Sequence, residues 1–197
     1  MNVAVKICGI KTPEMARFCA KAGAQFIGIV LHPESPRYVE FDDAYLIAKA
    51  AKEAGIIPVA VFVDADKDVI TNLCAQAEID HVQLHGDKAR AAAPYLPVNI
   101  HKIYVVHEQV PEARTNEDYL LFDSPQPGTG QKIDWSSIKP FNNMRIFLAG
   151  GLNAQNVIEA IKIVKPFGVD VSSGVESSRG LKSEALIQAF IKQVQHA

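Results

Sequence analysis

Long apolar runs are missing from this chain. No stretch approaches the roughly 18 consecutive apolar residues that a membrane span requires. The start, Met1-Asn2-Val3, has no basic segment leading into an apolar one, so no signal peptide is expected. Charge of one sign is equally scarce: 20 Lys and Arg against 22 Asp and Glu leave a net charge of -2. That balance gives no general attraction to nucleic acid or to an anionic membrane, so any site for an anion must be local. Cysteine is sparse and odd in number, at three, which excludes a disulfide framework and suits a reducing, cytoplasmic setting. Metal-ligand spacing is absent too. His81 and His85 stand four apart on a strand rather than on one helical face, so no metal is expected. No linker, low-complexity tract or repeat divides the chain, and residues 1–197 read as one domain.

What is present is a regular alternation of apolar strands and amphipathic helices. Strands are expected at about Val3–Gly9, Phe26–Leu31, Pro58–Asp64, His81–His85, Val98–Val106, Tyr119–Asp123, Arg145–Gly150 and Gly168–Ser172. Helices are expected at Pro13–Gly23, Asp42–Gly55, Lys67–Glu78, Lys88–Leu96, Asn153–Lys165 and from Ser183 onward. The first carries a clear start signal, with Thr12 as N-cap and Pro13 at the first helical position. His107–Asp118 is polar and contains Pro111, so helix five is short or missing. Eight strand-then-connection units with nearly continuous apolar strands predict an α/β fold, a compact single-domain (β/α)8 TIM barrel. An open doubly wound sheet is the rival.

Barrel enzymes keep their chemistry at the carboxyl ends of the strands. Alternation puts Val3, Val5 and Ile7 on one face of strand one, and Lys6 and Cys8 on the other. Cys8 therefore ends a strand facing the interior, just before a loop, where Lys6 is expected to lower its pKa. His85, Asp123 and Asp170 hold comparable strand-end positions, and Asp123 follows the apolar run Leu120-Leu121-Phe122 for no packing reason. Four such groups from four strands point to a catalytic rim. Cys19 and Cys74 differ: each lies on an apolar helical stripe and reads as small core filler.

Glycines supply the second signal. Leu148-Ala149-Gly150-Gly151-Leu152-Asn153 closes strand seven, and Val171-Ser172-Ser173-Gly174-Val175-Glu176 closes strand eight. Loops at these two places in a barrel commonly hold a phosphate on backbone N–H groups. The segment His32–Val39 after strand two is longer than a turn needs. Its Arg37 is open to two roles, a solvated charge or a clamp for a substrate carboxylate.

Taken with these residues, the chain resembles the phosphoribosylanthranilate isomerase family of tryptophan biosynthesis. The resemblance rests on Lys6-Ile7-Cys8-Gly9-Ile10, Ser35-Pro36-Arg37-Tyr38-Val39, Val82-Gln83-Leu84-His85-Gly86, Asp123-Ser124 with Gly128-Thr129-Gly130, and the two glycine loops. Pro127-Gly128 replaces the family's paired glycine, and Ser178-Arg179-Gly180 replaces its usual Pro-Gly. The resemblance implies an Amadori rearrangement of N-(5-phosphoribosyl)anthranilate to 1-(2-carboxyphenylamino)-1-deoxyribulose 5-phosphate, without a cofactor. It implies Asp123 as general acid, Cys8 as general base and Arg37 on the anthranilate carboxylate. It further implies His85 and Asp170 on the sugar, with Gly150, Gly151, Ser173 and Gly174 on the phosphate. The expected partner is a small phosphosugar, with no nucleic acid or membrane, and a monomer is expected rather than a homodimer. Two alternatives are another phosphosugar barrel, whether isomerase, epimerase or lyase, and a non-catalytic phosphosugar-binding protein. An epimerase would show strand-end metal ligands and a synthase-like lyase strand-end lysines, while a binding protein would have no use for both Cys8 and Asp123.

Overall fold

The computed structural model describes residues 3–106, 117–124, 134–138 and 144–197. Its eight main strands are β1 (Ala4–Cys8), β2 (Phe26–Val30), β3 (Ile57–Phe62), β4 (His81–Leu84), β5 (His101–Val106), β6 (Tyr119–Phe122), β7 (Arg145–Leu148) and β8 (Gly168–Val171). They pair in sequence order, and β8 returns in parallel to β1 through Ala4↔Gly168 and Lys6↔Asp170. That last pairing closes the sheet and rules out the open rival.

Helices α1 (Pro13–Ala22), α2 (Phe41–Glu53), α3 (Lys67–Ala77), α4 (Asp87–Ala92), α5 (Val157–Val164) and α6 (Glu184–Gln195) lie among the described residues. The start of α1 follows its sequence signal: Thr12 Oγ1 accepts from the Met15 N–H at 3.2 Å, and Gly23 ends the helix in the left-handed region. Three boundaries differ from expectation. β5 begins at His101 rather than Val98, because Pro97–Ile100 forms a turn and Val98 is 95% exposed. The alanine-rich segment is helical only to Ala92, then tightens into a 3-10 turn at Ala93–Tyr95 around Pro94, which has no N–H to continue the ladder. α5 starts at Val157 rather than Asn153, since Asn153 and Asn156 use their side chains to bond backbone within the preceding turn. Of the segment 107–118, where helix five is expected to be short or missing, residues 107–116 lie outside the described residues, as does the Pro127–Gly130 segment.

Strand alternation divides the core in two. Outward residues such as Val5, Ile7, Ile27 and Ile29 pack beneath the helices with Ile47, Ile70, Ile187 and Phe190. Inward residues form a separate cluster of Phe26, Val59, Ile103, Val105, Tyr119, Leu121 and Phe147. Phe26 and Phe147 meet edge-on with centroids 5.3 Å apart, and Arg145 stacks on Tyr119 at 4.5 Å. This plug fills the amino-terminal part of the barrel. Further along the inward rows stand the polar Lys6, Gln83, Asp123 and Asp170, beside the apolar Val30, Val61 and Ala149.

Candidate active site

Lys6 is the lowest of those polar groups and is fully buried. Its Nζ donates to Gln83 Oε1 at 2.8 Å and to Asp170 Oδ1 at 3.0 Å, so β1, β4 and β8 are tied across the barrel axis. Burial works against the ammonium, but Asp170 and then Cys8 outweigh it and hold the Lys6 pKa above the ordinary lysine value. Asp170 is thus a floor residue of the site, paired with Lys6, rather than a rim residue.

Cys8 stands one inward position above Lys6, beside Gly28 of β2. A Cβ at Gly28 would come within 2.7 Å of Cys8 Sγ, so the space the thiol occupies exists because position 28 has no side chain. The expected fall in the thiol's pKa is not what the surroundings produce. Burial pushes the Cys8 pKa up; Lys6, and more weakly Lys182 and Arg37, pull it down without prevailing. The Lys6 ammonium is spent on Asp170 and Gln83. Cys19 and Cys74 are buried as expected, and burial pushes both thiols up to about 12.

Above this floor lies a cavity of roughly 520 Å³ at the carboxyl ends of the strands. Cys8, Arg37, His85, Asp123, Gly150, Gly151, Asp170 and Ser173 all line it, so eight of the nine predicted residues face one space. Asp123 lies directly after β6 and accepts from the Ser124 N–H at 2.7 Å, while His85 Nε2 lies 3.8 Å from its Oδ2. His81, four residues before His85 on the same strand, points into the amino-terminal plug, stacked on His101 and 2.7 Å from Asp80.

The glycine loops form the far wall. Gly150 and Gly151 both have positive φ, 81° and 67°, a pair of conformations that side-chain-bearing residues rarely adopt. Asn156 staples this loop, donating to the Gly151 carbonyl at 2.9 Å and accepting from the Asn153 N–H at 2.9 Å. Gly174, the ninth predicted residue, is not on the cavity wall; a Cβ there would collide with the Leu152 carbonyl, so it sets how closely the two loops approach. Ser173–Val175 is a single 3-10 turn.

Arg37 is not a surface charge. It is 8% exposed and enters the cavity from the His32–Val39 segment, which is anchored by a bridge between Val30 and Tyr38. Its guanidinium forms a two-pronged pair with Glu176, Nε to Oε1 at 2.7 Å and Nη2 to Oε2 at 3.0 Å. Glu176 opens a hairpin after β8, β9 (Glu176–Ser178) with β10 (Leu181–Lys182), in the stretch where the sequence departs from the family pattern. The partners of Lys6, and the parts played by Gln83, Lys182 and Glu176, were not foreseen. Lys6 itself was signalled by its inward strand position, two residues before Cys8.

Ionisable groups from four strands converging on the carboxyl-terminal mouth, over an interior otherwise filled with side chains, place the chain among the (β/α)8-barrel enzymes. Comparison with known proteins narrows that class. A profile of the N-(5'-phosphoribosyl)anthranilate (PRA) isomerases matches residues 5–193, and the chain belongs to that family. It is 38% identical over 200 residues to the N-(5'-phosphoribosyl)anthranilate isomerase of Aquifex aeolicus, covering 97% of this chain and 98% of the relative. Monomers generated from the dimeric phosphoribosylanthranilate isomerase of Thermotoga maritima superpose with a TM-score of 0.83 at 34% identity, covering 99% of this chain and 100% of that one. A phosphoribosyl anthranilate isomerase in complex with reduced 1-(o-carboxyphenylamino)-1-deoxyribulose 5-phosphate gives a TM-score of 0.84 at 33% identity, with 99% and 100% coverage. Among the described residues no helix is long and apolar enough to cross a membrane.

Proposed function

We propose that this enzyme is the aldose–ketose isomerase that converts N-(5-phosphoribosyl)anthranilate to 1-(2-carboxyphenylamino)-1-deoxyribulose 5-phosphate in tryptophan biosynthesis. The observation that carries the reading is the meeting of Cys8 and Asp123 with Arg37 and the glycine loops on one cavity. The loops at Gly150, Gly151 and Ser173, spaced by Gly174, receive the phosphate through backbone N–H groups. Arg37 receives the anthranilate carboxylate, so the sugar is held by the anionic groups at its two ends. Its middle then lies near Cys8, His85, Asp123 and Asp170.

Asp123 donates a proton to the ribose ring oxygen, and the ring opens to a protonated Schiff base. Cys8 takes the C2 proton, and the electron pair left behind moves onto nitrogen to give an enolamine. A proton is then added at C1 and the C2 hydroxyl gives up its proton, which yields the ketone. Electrons move only within the substrate, so the reaction balances without an oxidant or reductant. Burial pushes the Cys8 pKa up in the free enzyme, so the thiol first gives its proton to solvent in the cavity, and the cationic Schiff base supplies the charge that favours the thiolate at the step that needs it. His85 beside Asp123, and Asp170 held by Lys6, offer the sugar hydroxyls hydrogen-bond partners.

The three thiols are free and buried, which suits the cytoplasm, and the working unit we propose is the monomer. Light scattering during gel filtration tests the second point, and a dimer mass would overturn it. The catalytic reading is tested by isomerase turnover of the purified protein alongside Cys8→Ala and Asp123→Asn. Near-normal kcat in either variant would remove that residue from the mechanism.

A further inference from the structure

Arg37 arrives at the cavity with one edge of its guanidinium already occupied. Nε and Nη2 are bound to Glu176, both side chains nearly buried at 10% and 4% exposure. Glu176 is itself gripped from two further directions, by the Gly180 N–H at 3.1 Å and by Lys182 Nζ at 2.8 Å. Burial would raise the Glu176 pKa, but Arg37 and Lys182 together bring it to about 2, so the carboxylate is ionised throughout the physiological range. Two cations thus share one carboxylate, and the cluster carries a net positive charge. Of its members only Arg37 lines the cavity.

The same cluster extends toward the reacting groups. Lys182 also donates to the Ser172 carbonyl at 2.9 Å and to Ser172 Oγ at 3.2 Å, and Ser172 Oγ donates to the Cys8 carbonyl at 3.0 Å. The hairpin seats against the Arg37 segment, since a Cβ at Gly180 would lie 2.6 Å from the Pro36 carbonyl. A guanidinium has five N–H donors in a rigid plane, so fixing the Nε/Nη2 edge fixes where the Nη1 edge points.

We propose that Glu176 is a positioning residue of the isomerase, holding the Nε/Nη2 edge of Arg37 so that the Nη1 edge meets the aryl carboxylate of the substrate. Lys182 supplies the second positive charge that keeps the cluster attractive to that carboxylate. The inference rests on the reading of Arg37 as the carboxylate clamp.

The test is calorimetric binding of two stable ligands, reduced 1-(o-carboxyphenylamino)-1-deoxyribulose 5-phosphate and its counterpart lacking the carboxyl group. Both are titrated into the wild type, Arg37→Ala, Glu176→Gln and the double variant, below their melting temperatures. The wild type should prefer the carboxylated ligand by roughly tenfold or more, as a two-pronged charge-assisted pair allows. Glu176→Gln should erase most of that preference while binding the carboxyl-free ligand about as the wild type does. It should add nothing in the Arg37→Ala background, and in turnover it should raise KM more than it lowers kcat. If Glu176→Gln does not fold, Glu176→Asp, one methylene shorter, carries the same expectation. Preference kept in the Glu176 variant but lost in Arg37→Ala overturns the positioning role alone. Preference kept in Arg37→Ala overturns the clamp and the inference with it. Equal weakening of both ligands by the Glu176 variant shows a merely structural role and also overturns it.

Discussion

The two ends of the barrel interior are built from the same eight strands and differ in almost everything else. At the amino-terminal end Phe26, Tyr119 and Phe147 pack ring against ring with Phe167 across the opening. At the carboxyl-terminal end the inward positions carry Lys6, Cys8, Gln83, Asp123 and Asp170, and a cavity opens above them. One end contributes burial of apolar area, and the other gives it up to hold groups that burial penalises. The lesson is a division of labour along the strand, with stability below and chemistry above. Lys6 and Asp170 form the seam, a buried charge pair whose desolvation is offset chiefly by mutual contact, with Gln83 beside it.

Breaking the upper half should cost activity and little else. Cys8→Ala and Asp123→Asn should each lower kcat by roughly two to four orders of magnitude, the usual worth of a positioned proton-transfer group. Melting temperatures measured alongside should move little. A thiol reagent offers an independent check, with inactivation blocked by the reduced product analogue. Normal kcat for Cys8→Ala would end the assignment, because no other group in this mechanism takes the C2 proton.

Breaking the lower half should do the reverse. Phe147→Ala empties the middle of the plug and should cost about 3–5 kcal/mol in denaturant unfolding. The kcat per folded molecule should stay near the wild-type value. A comparable loss of kcat would show that the plug shapes the site directly, and the division of labour would fail.

Lys6→Met tests the seam, and both kinds of effect are expected. Stability should fall by about 3–5 kcal/mol, because Asp170 is left buried and unpaired. Since Lys6 pulls the Cys8 pKa down, its removal should move the thiol's pKa further up. The pH at which iodoacetamide reacts with Cys8 should therefore rise; an unchanged or lower pH would show that Lys6 does not act on the thiol.

The smallest effect concerns the hairpin. Glu176 is held at about 2 in the folded chain against an ordinary value of 4.5. Its stabilisation is thus present above pH 4.5 and is lost as pH falls toward 2, the range in which the unfolded chain binds the extra proton. Glu176→Gln should flatten the acid side of the stability curve in that window. A curve parallel to the wild type's would show that the carboxylate is not held by Arg37 and Lys182.

The comparison also marks what the sequence makes legible. Strand spacing, the Thr12-Pro13 helix start and the glycine loops all follow from local rules, and each was found where those rules put it. Cys8 and Asp123 stood out because a polar residue ending an apolar run has no local explanation. Alternation put Lys6 on the same strand face as Cys8, but its full burial and the groups it bonds depend on the closed sheet. His81 and His85, four apart on one strand and so not expected to meet, lie one in the plug and the other at the mouth.

Local sequence by itself determined the parity of each strand and the order of its elements, and it singled out Cys8 and Asp123 as candidates. Those depend on side-chain period and on turn and capping chemistry, which act over a few residues. Only the tertiary structure decided which charges meet. Lys6 finds Asp170 across 164 residues, and Arg37 finds Glu176 across 139. The direction of the Cys8 pKa shift was decided there as well, because burial outweighed the neighbouring lysine. Desolvation is a property of the closed barrel, and no short segment of the chain contains it.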